Sequence, residues 1–134
     1  AIGTDRADSV IMADNIVHVK EGGNLDIGFR SWAASLQHVI ANNVVTVAPG
    51  GHCARAMDVR GTGAVVTGNS IRSWQVDERT RLTISGGNTI VTGNLLENVV
   101  VEVADESGEG KPILIKNNIL ENSTIERKSG NLVE

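Results

Sequence analysis

The chain has 134 residues and a formal charge of −4 at neutral pH, with 40% hydrophobic and 21% charged residues. That balance excludes disorder as the main state and leaves no basic footprint for nucleic acid. No apolar run approaches the roughly 18 residues of a membrane-spanning helix.

The apolar residues are Val, Ile and Leu rather than aromatics: one Phe, no Tyr and two Trp, with 15 Gly and 2 Pro. Such a mixture suits narrow aliphatic layers joined by tight corners. Cys53 is alone, so the chain holds no internal disulfide.

In chain order, residues 1–8 are polar and read as a lead-in or a cap. Ser9–Val19 contains the first strand–corner–strand phrase. Lys20–Gln37 is the longest connection, with an alternating stretch at Leu25, Ile27 and Phe29 and a short helical turn or irregular cap at 32–36. The second phrase is His38–Val47, followed by the turn cluster Pro49-Gly50-Gly51.

Met57 and Val59 alternate with polar neighbours as a half-buried strand does. Gly61-Thr62-Gly63 ends that stretch, and Ala64–Trp74 is the third phrase. Leu82 and Ile84 repeat the alternation, Gly86-Gly87-Asn88 ends it, and Ile90–Leu96 is the fourth phrase. Val99–Val103 and the acidic loop Asp105–Gly110 lead to the fifth, Ile113–Asn122. Residues 123–134 read as one partial strand.

The phrases share one signature. Asn15, Asn43, Asn69, Asn94 and Asn118 each follow a large apolar residue by three positions (Met12, Ile40, Val66, Val91, Ile115). Each also precedes another by two (Val17, Val45, Ile71, Leu96, Leu120). The intervals are 28, 26, 25 and 24 residues, the period of a solenoid. No stretch sustains a capped helical period.

The expected fold is all-β: a right-handed parallel β-helix of about five coils, stacked about 4.8 Å apart. The positions at −3 and +2 from each Asn point inward, and so does the Asn, which forms a one-residue corner. A buried column of amides is tolerable when each bonds its neighbours above and below, so an Asn ladder is expected. The domain is expected to be single over 1–134, with coils over 9–122, and to be a segment of a longer chain.

These apolar-x-x-Asn-x-apolar phrases resemble the right-handed parallel β-helix superfamily, which comprises pectate-lyase-like enzymes and the tailspike and appendage proteins of bacteriophages. The fold hosts lyases, hydrolases, epimerases and inert adhesins, so it does not name an activity by itself. The resemblance to tailspikes implies a homotrimer of side-by-side β-helices on a virion tail or in an extracellular setting. It also implies a bacterial surface polysaccharide as partner.

Stacking turns outward positions into columns. Three residues after each Asn stand His18, Thr46, Arg72, Glu97 and Glu121. Glu97 and Glu121 would be one rung apart, about the 5 Å separation of a retaining glycosidase pair. The alternative is a solvated ladder face.

Eight residues after each Asn stand Asp77, Glu102 and Glu126. Such a column of oxygens is the chemistry of a Ca²⁺ site, as in calcium-dependent polysaccharide lyases. Those enzymes add basic residues that take a proton, and the neighbours of that type here are Arg79, Arg81 and Arg127. With no motif fixing these roles, the expectation is no bound cofactor.

Trp32 and Trp74, with Arg72, are the residues suited to stacking on sugar rings and binding a glycan. His18, His38 and His52 have no metal-ligand spacing and read as surface or corner residues. Cys53 beside His52 does not make a nucleophile–base pair. Four residues before each Asn stand Ile11, Val39, Val65, Ile90 and Leu114. Strand alternation points them outward, making an aliphatic stripe that is a candidate subunit interface; the alternative is a bend that turns both neighbouring positions inward.

The leading function is therefore a structural, receptor-binding segment of a tailspike or appendage that contacts a surface polysaccharide. The alternatives are a polysaccharide lyase or glycoside hydrolase using Glu97 and Glu121, and a bacterial surface adhesin.

Overall fold

The computed structural model describes residues 2–4, 6–32, 36–75, 78–105 and 109–134. Coil one contributes β1 (Ile2–Thr4), β2 (Ile11–Ala13) and β3 (Ile16–Val19). Coil two contributes β4 (Asn24–Ser31), β5 (Val39–Ala41) and β6 (Val44–Val47), and coil three β7 (His52–Val59), β8 (Val65–Thr67) and β9 (Ser70–Ser73). Coil four holds β10 (Thr80–Ile84), β11 (Ile90–Thr92) and β12 (Leu95–Glu97). Coil five holds β13 (Val99–Val103), β14 (Pro112–Lys116) and β15 (Ile119–Glu121). β16 (Thr124–Arg127) and β17 (Asn131–Val133) start another coil.

The first, second and third strands of successive coils pair into sheets A, B and C. Sheet A is β1-β4-β7-β10-β13-β16, sheet B is β2-β5-β8-β11-β14-β17, and sheet C is β3-β6-β9-β12-β15. Each strand pairs in parallel with its equivalent one coil on. The chain is a parallel β-solenoid of about five turns.

Inside, like stacks on like. Phe29, Met57, Leu82 and Val101 are rung partners on sheet A, and Met12, Ile40, Val66, Val91 and Ile115 on sheet B. All nine are buried. Full burial of one such side chain is worth about 1.5–3 kcal/mol.

The corner between sheets B and C takes two residues rather than one. The residue before each ladder Asn turns the chain: Asp14, Asn42, Gly68, Gly93 and Asn117 have φ between 55° and 67°. Gly, Asn and Asp reach that region at least cost. The Asn then points inward. Asn43 Nδ2 donates to Asn69 Oδ1 (3.0 Å), Asn69 Nδ2 to Asn94 Oδ1 (2.9 Å) and Asn94 Nδ2 to Asn118 Oδ1 (2.9 Å). Each acceptor oxygen also takes the backbone N–H of the preceding rung. The second amide hydrogen goes to the carbonyl of the inward apolar residue one coil back, such as Ile40 for Asn69 (2.9 Å). The buried amides are thereby paired.

Three further expectations change. Ile2–Thr4 is a strand of sheet A paired with β4, because Ile2 falls in register with Phe29. The connection after Lys20 contains the eight-residue β4, and residues 33–35 of the expected turn lie outside the described residues. The final stretch makes two strands, since Ser129 and Gly130 bend it between sheets A and B.

Candidate functional site: a groove beside sheet C

The outward column on sheet C holds its register. His18 pairs with Thr46, Thr46 with Arg72, Arg72 with Glu97 and Glu97 with Glu121. The charges couple along it: Arg72 Nε lies 3.5 Å from Glu97 Oε2, and His18 Nδ1 lies 2.7 Å from Thr46 Oγ1.

Where sheet C turns towards sheet A, an open groove of about 490 Å³ runs across the coils. Trp74, Arg79, Glu97, Glu121, Asn98 and Asn122 line it, with Ser73 and Gln75. A second, shorter amide ladder forms one wall. Asn122 Nδ2 donates to Asn98 Oδ1 (3.1 Å), and Asn98 Nδ2 donates to the carbonyls of Ser73 (3.1 Å) and Gln75 (3.2 Å). Asn98 and Asn122 hold φ of 56° and 46°, the left-handed turn that Asn tolerates best after Gly.

Gln75 is buried, and its Oε1 accepts the Cys53 N–H (2.9 Å). That bond fixes the amide's orientation. Its Nε2 is buried with no hydrogen-bond partner among the described residues, a costly state for an amide donor. Trp74, 44% exposed, presents an indole at the same place. An aromatic face beside guanidinium, carboxylate and amide groups is the chemistry of a sugar ring's apolar face and its hydroxyls.

The predicted glycan residues do not form one site. Trp74 lines the groove, and Arg72 sits on the neighbouring sheet C column, tied to Glu97. Trp32 follows β4 on sheet A and packs under Arg30 and Arg60 instead. The predicted carboxylate pair does share the groove.

The Asp77–Glu102–Glu126 column is not a rung column. Glu102 pairs with Glu126 on one side but with Thr83 on the other, because unequal loops shift the count of residues from Asn to sheet A. Asp77 lies outside the described residues. Arg81 Nε stands 3.6 Å from Glu102 Oε2, and Lys128 Nζ 3.3 Å from Glu126 Oε2. Among the described residues no three His, Cys, Asp or Glu side chains gather as ligands for an ion.

The histidines divide. His38 is buried rather than on the surface. Its Nε2 meets the Ala7 carbonyl, and its Nδ1 lies 3.0 Å from Ser31 Oγ. A carbonyl only accepts, so Nε2 carries a proton towards it. Cys53 is buried, and burial pushes its thiol up to about 11, which suits an inert group rather than a nucleophile.

Ile11, Val39, Val65, Ile90 and Leu114 stack rung on rung on sheet B. Val133 extends the column. A second outward column, not anticipated from the sequence, flanks the same corner on sheet C: Ile16, Val44, Ser70, Leu95 and Ile119. Ile11 and Ile16 are 70% and 77% exposed. Its sequence signal is plain in retrospect, since each member directly follows a ladder Asn.

No family model, no curated protein and no solved structure matches this chain. Among the described residues no helix is long and apolar enough to cross a membrane.

Proposed function

We propose that this chain is a structural, carbohydrate-binding β-solenoid segment of an appendage such as a bacteriophage tailspike, with bacterial surface polysaccharide as its ligand. The observation that carries the reading is the sheet C groove, which exposed Trp74 lines together with Arg79, Glu97, Asn98 and Asn122. The groove is open and crosses coils, as a site for a polymer rather than a small enclosed ligand does.

The test is binding to immobilised bacterial surface polysaccharides. The wild-type chain binds at least one of them, and Trp74→Ala weakens that binding by about tenfold, on the scale of the roughly 1–3 kcal/mol that a base gains by stacking on an aromatic side chain. Undiminished binding by Trp74→Ala removes the groove from the account.

The same segment would assemble through the corner between sheets B and C. Placing the sheet B flank of one copy against the sheet C flank of the next matches Ile11 with Ile16, Val39 with Val44, Ile90 with Leu95 and Leu114 with Ile119, rung for rung. Such a head-to-tail contact between different faces forms a ring where the rotation between copies closes, and the resemblance implies three copies.

A second reading, cleavage of the bound glycan, rests on Glu97 and Glu121 sharing the groove. Glycan chains shortened by the wild type but not by Glu97→Gln or Glu121→Gln would establish it. Intact chains after incubation with the wild type sink it.

A further inference from the structure

Sheet A carries a cluster that the sheet C groove does not use. Asp58 on β7 stands between Met57 and Val59 of the core and so faces outward, yet it is fully buried. Arginines cover it. Arg30 Nε lies 3.3 Å from Asp58 Oδ2, Arg55 Nη1 3.3 Å and Arg60 Nε 3.0 Å from the same oxygen. Arg30 is its rung partner on β4, while Arg55 and Arg60 come from the same stretch of chain.

One guanidinium is enough to neutralise a buried carboxylate; a second and third repel the first. Their placement is accounted for if Asp58 orients them. Arg55 also reaches exposed Asp26, with Nη2 3.6 Å from Oδ1. The Nε of Arg30 meets Asp58 as an ion pair without hydrogen-bond geometry, and among the described residues its guanidinium makes no hydrogen bond. Its side chain is 32% exposed.

Trp32 fixes the plane. The Arg30 guanidinium carbon stands 5.1 Å from the indole centroid and that of Arg60 5.8 Å, within cation–π range. Trp32 is itself 36% exposed. The result is a preorganised fork of donors beside an indole on an open face of a chain whose net charge is −4.

We propose that this cluster is a binding site for the oxyanion of an acidic sugar, with Arg30 as bidentate donor, Trp32 as stacking floor and Asp58 as the residue that positions the arginines. A planar guanidinium fork matches a carboxylate or sulfate oxygen pair, and an adjacent indole matches the apolar face of a pyranose. The site is separate from the sheet C groove and does not rest on the reading of that groove.

The test is an NMR titration of the ¹⁵N-labelled chain with three probes: glucuronate, glucose 6-sulfate and methyl glucoside. Trp32 indole and Arg30 side-chain signals shift with an anionic probe and not with methyl glucoside. Whichever anionic probe acts names the oxyanion as carboxylate or sulfate. Arg30→Gln weakens that binding about tenfold, the loss expected of charge-assisted hydrogen bonds.

Arg30→Gln also takes a partner from Asp58, so thermal melts of each variant report its fold. Trp32→Ala leaves Asp58 untouched and weakens binding several-fold on its own. The proposal is overturned if no probe shifts Trp32, if methyl glucoside acts as well as the anions, or if folded Trp32→Ala binds as the wild type does. Shifts confined to Trp74 and Arg79 overturn it too, while leaving the sheet C groove standing.

Discussion

Asn69 occupies the middle rung of the ladder, and every polar atom of its amide is engaged. Its Oδ1 takes two hydrogens from Asn43, and its Nδ2 gives one to Ile40 and one to Asn94. Leucine has the same branching but is larger and makes none of these bonds. Asn69→Leu therefore leaves donors on Asn43 and the Ile40 carbonyl buried without this partner, while Asn94 Oδ1 keeps the backbone N–H of residue 69, at about 1–3 kcal/mol for each group left unpaired before relaxation. The expected loss is about 3–5 kcal/mol, read from urea unfolding midpoints. A loss below about 1 kcal/mol would mean that the ladder contributes little.

Cys53 gives a pH signature at the same scale. Burial raises its folded pKa to about 11, so the thiol stays protonated in the fold while the unfolded thiol ionises first. A group raised in this way contributes stability fully below its unfolded pKa and loses it as pH rises through the folded value. The melting temperature should fall between the ordinary thiol range and about pH 11, and Cys53→Ala should flatten the part of that fall that Cys53 causes. Identical slopes for the two proteins would contradict the assignment.

At the scale of the element, the corner between sheets B and C sets the coil. Its turning residue is Gly on two coils and Asn or Asp on three, so the position tolerates a short polar side chain. A Cβ at Gly93 would meet Thr67 Oγ1 at 3.6 Å, an ordinary contact. Gly93→Asn should then be neutral within about 0.5 kcal/mol. Gly93→Val, forced to φ 67°, should cost about 1–2 kcal/mol or more. Equal thermal melts for the two variants would show that the left-handed turn is not what selects the residue.

This element also marks how far the sequence could be read. The Asn period, the inward −3 positions and the +2 positions up to Leu96 follow from strand alternation, which is local, and they stand in the fold; Leu120, on the last strand of sheet C, is exposed. The turning residue was missed because the period was anchored on the Asn, although Asp14, Asn42, Gly68, Gly93 and Asn117 carry the left-handed preference in plain view. The acidic column failed for a different reason. It was counted across loops of unequal length, so Glu102 falls opposite Thr83 in an unbroken register. The Asp58 cluster was invisible because Arg30 and Asp58, 28 positions apart, become neighbours only through rung pairing.

At the scale of the molecule, the faces divide their chemistry. The corner between sheets B and C is aliphatic on both flanks, with Ile11, Ile16, Ile90 and Ile119 all exposed. The turn from sheet C to sheet A holds the Trp74 groove, and sheet A holds the arginine cluster. In the assembly proposed, the aliphatic corner is buried between copies and each groove lies close to a seam, on the other side of the sheet C strands. Exposed, that corner would be a contiguous apolar surface on a chain otherwise rich in polar turns.

Mass in solution tests the assembled appendage most directly. Light scattering at micromolar concentration should give three times the chain mass of 14.1 kDa, and Val39→Lys with Val44→Lys should return it to a single chain with the fold retained. A wild-type chain that stays monomeric across that range would contradict the assembly and leave its aliphatic corner unexplained.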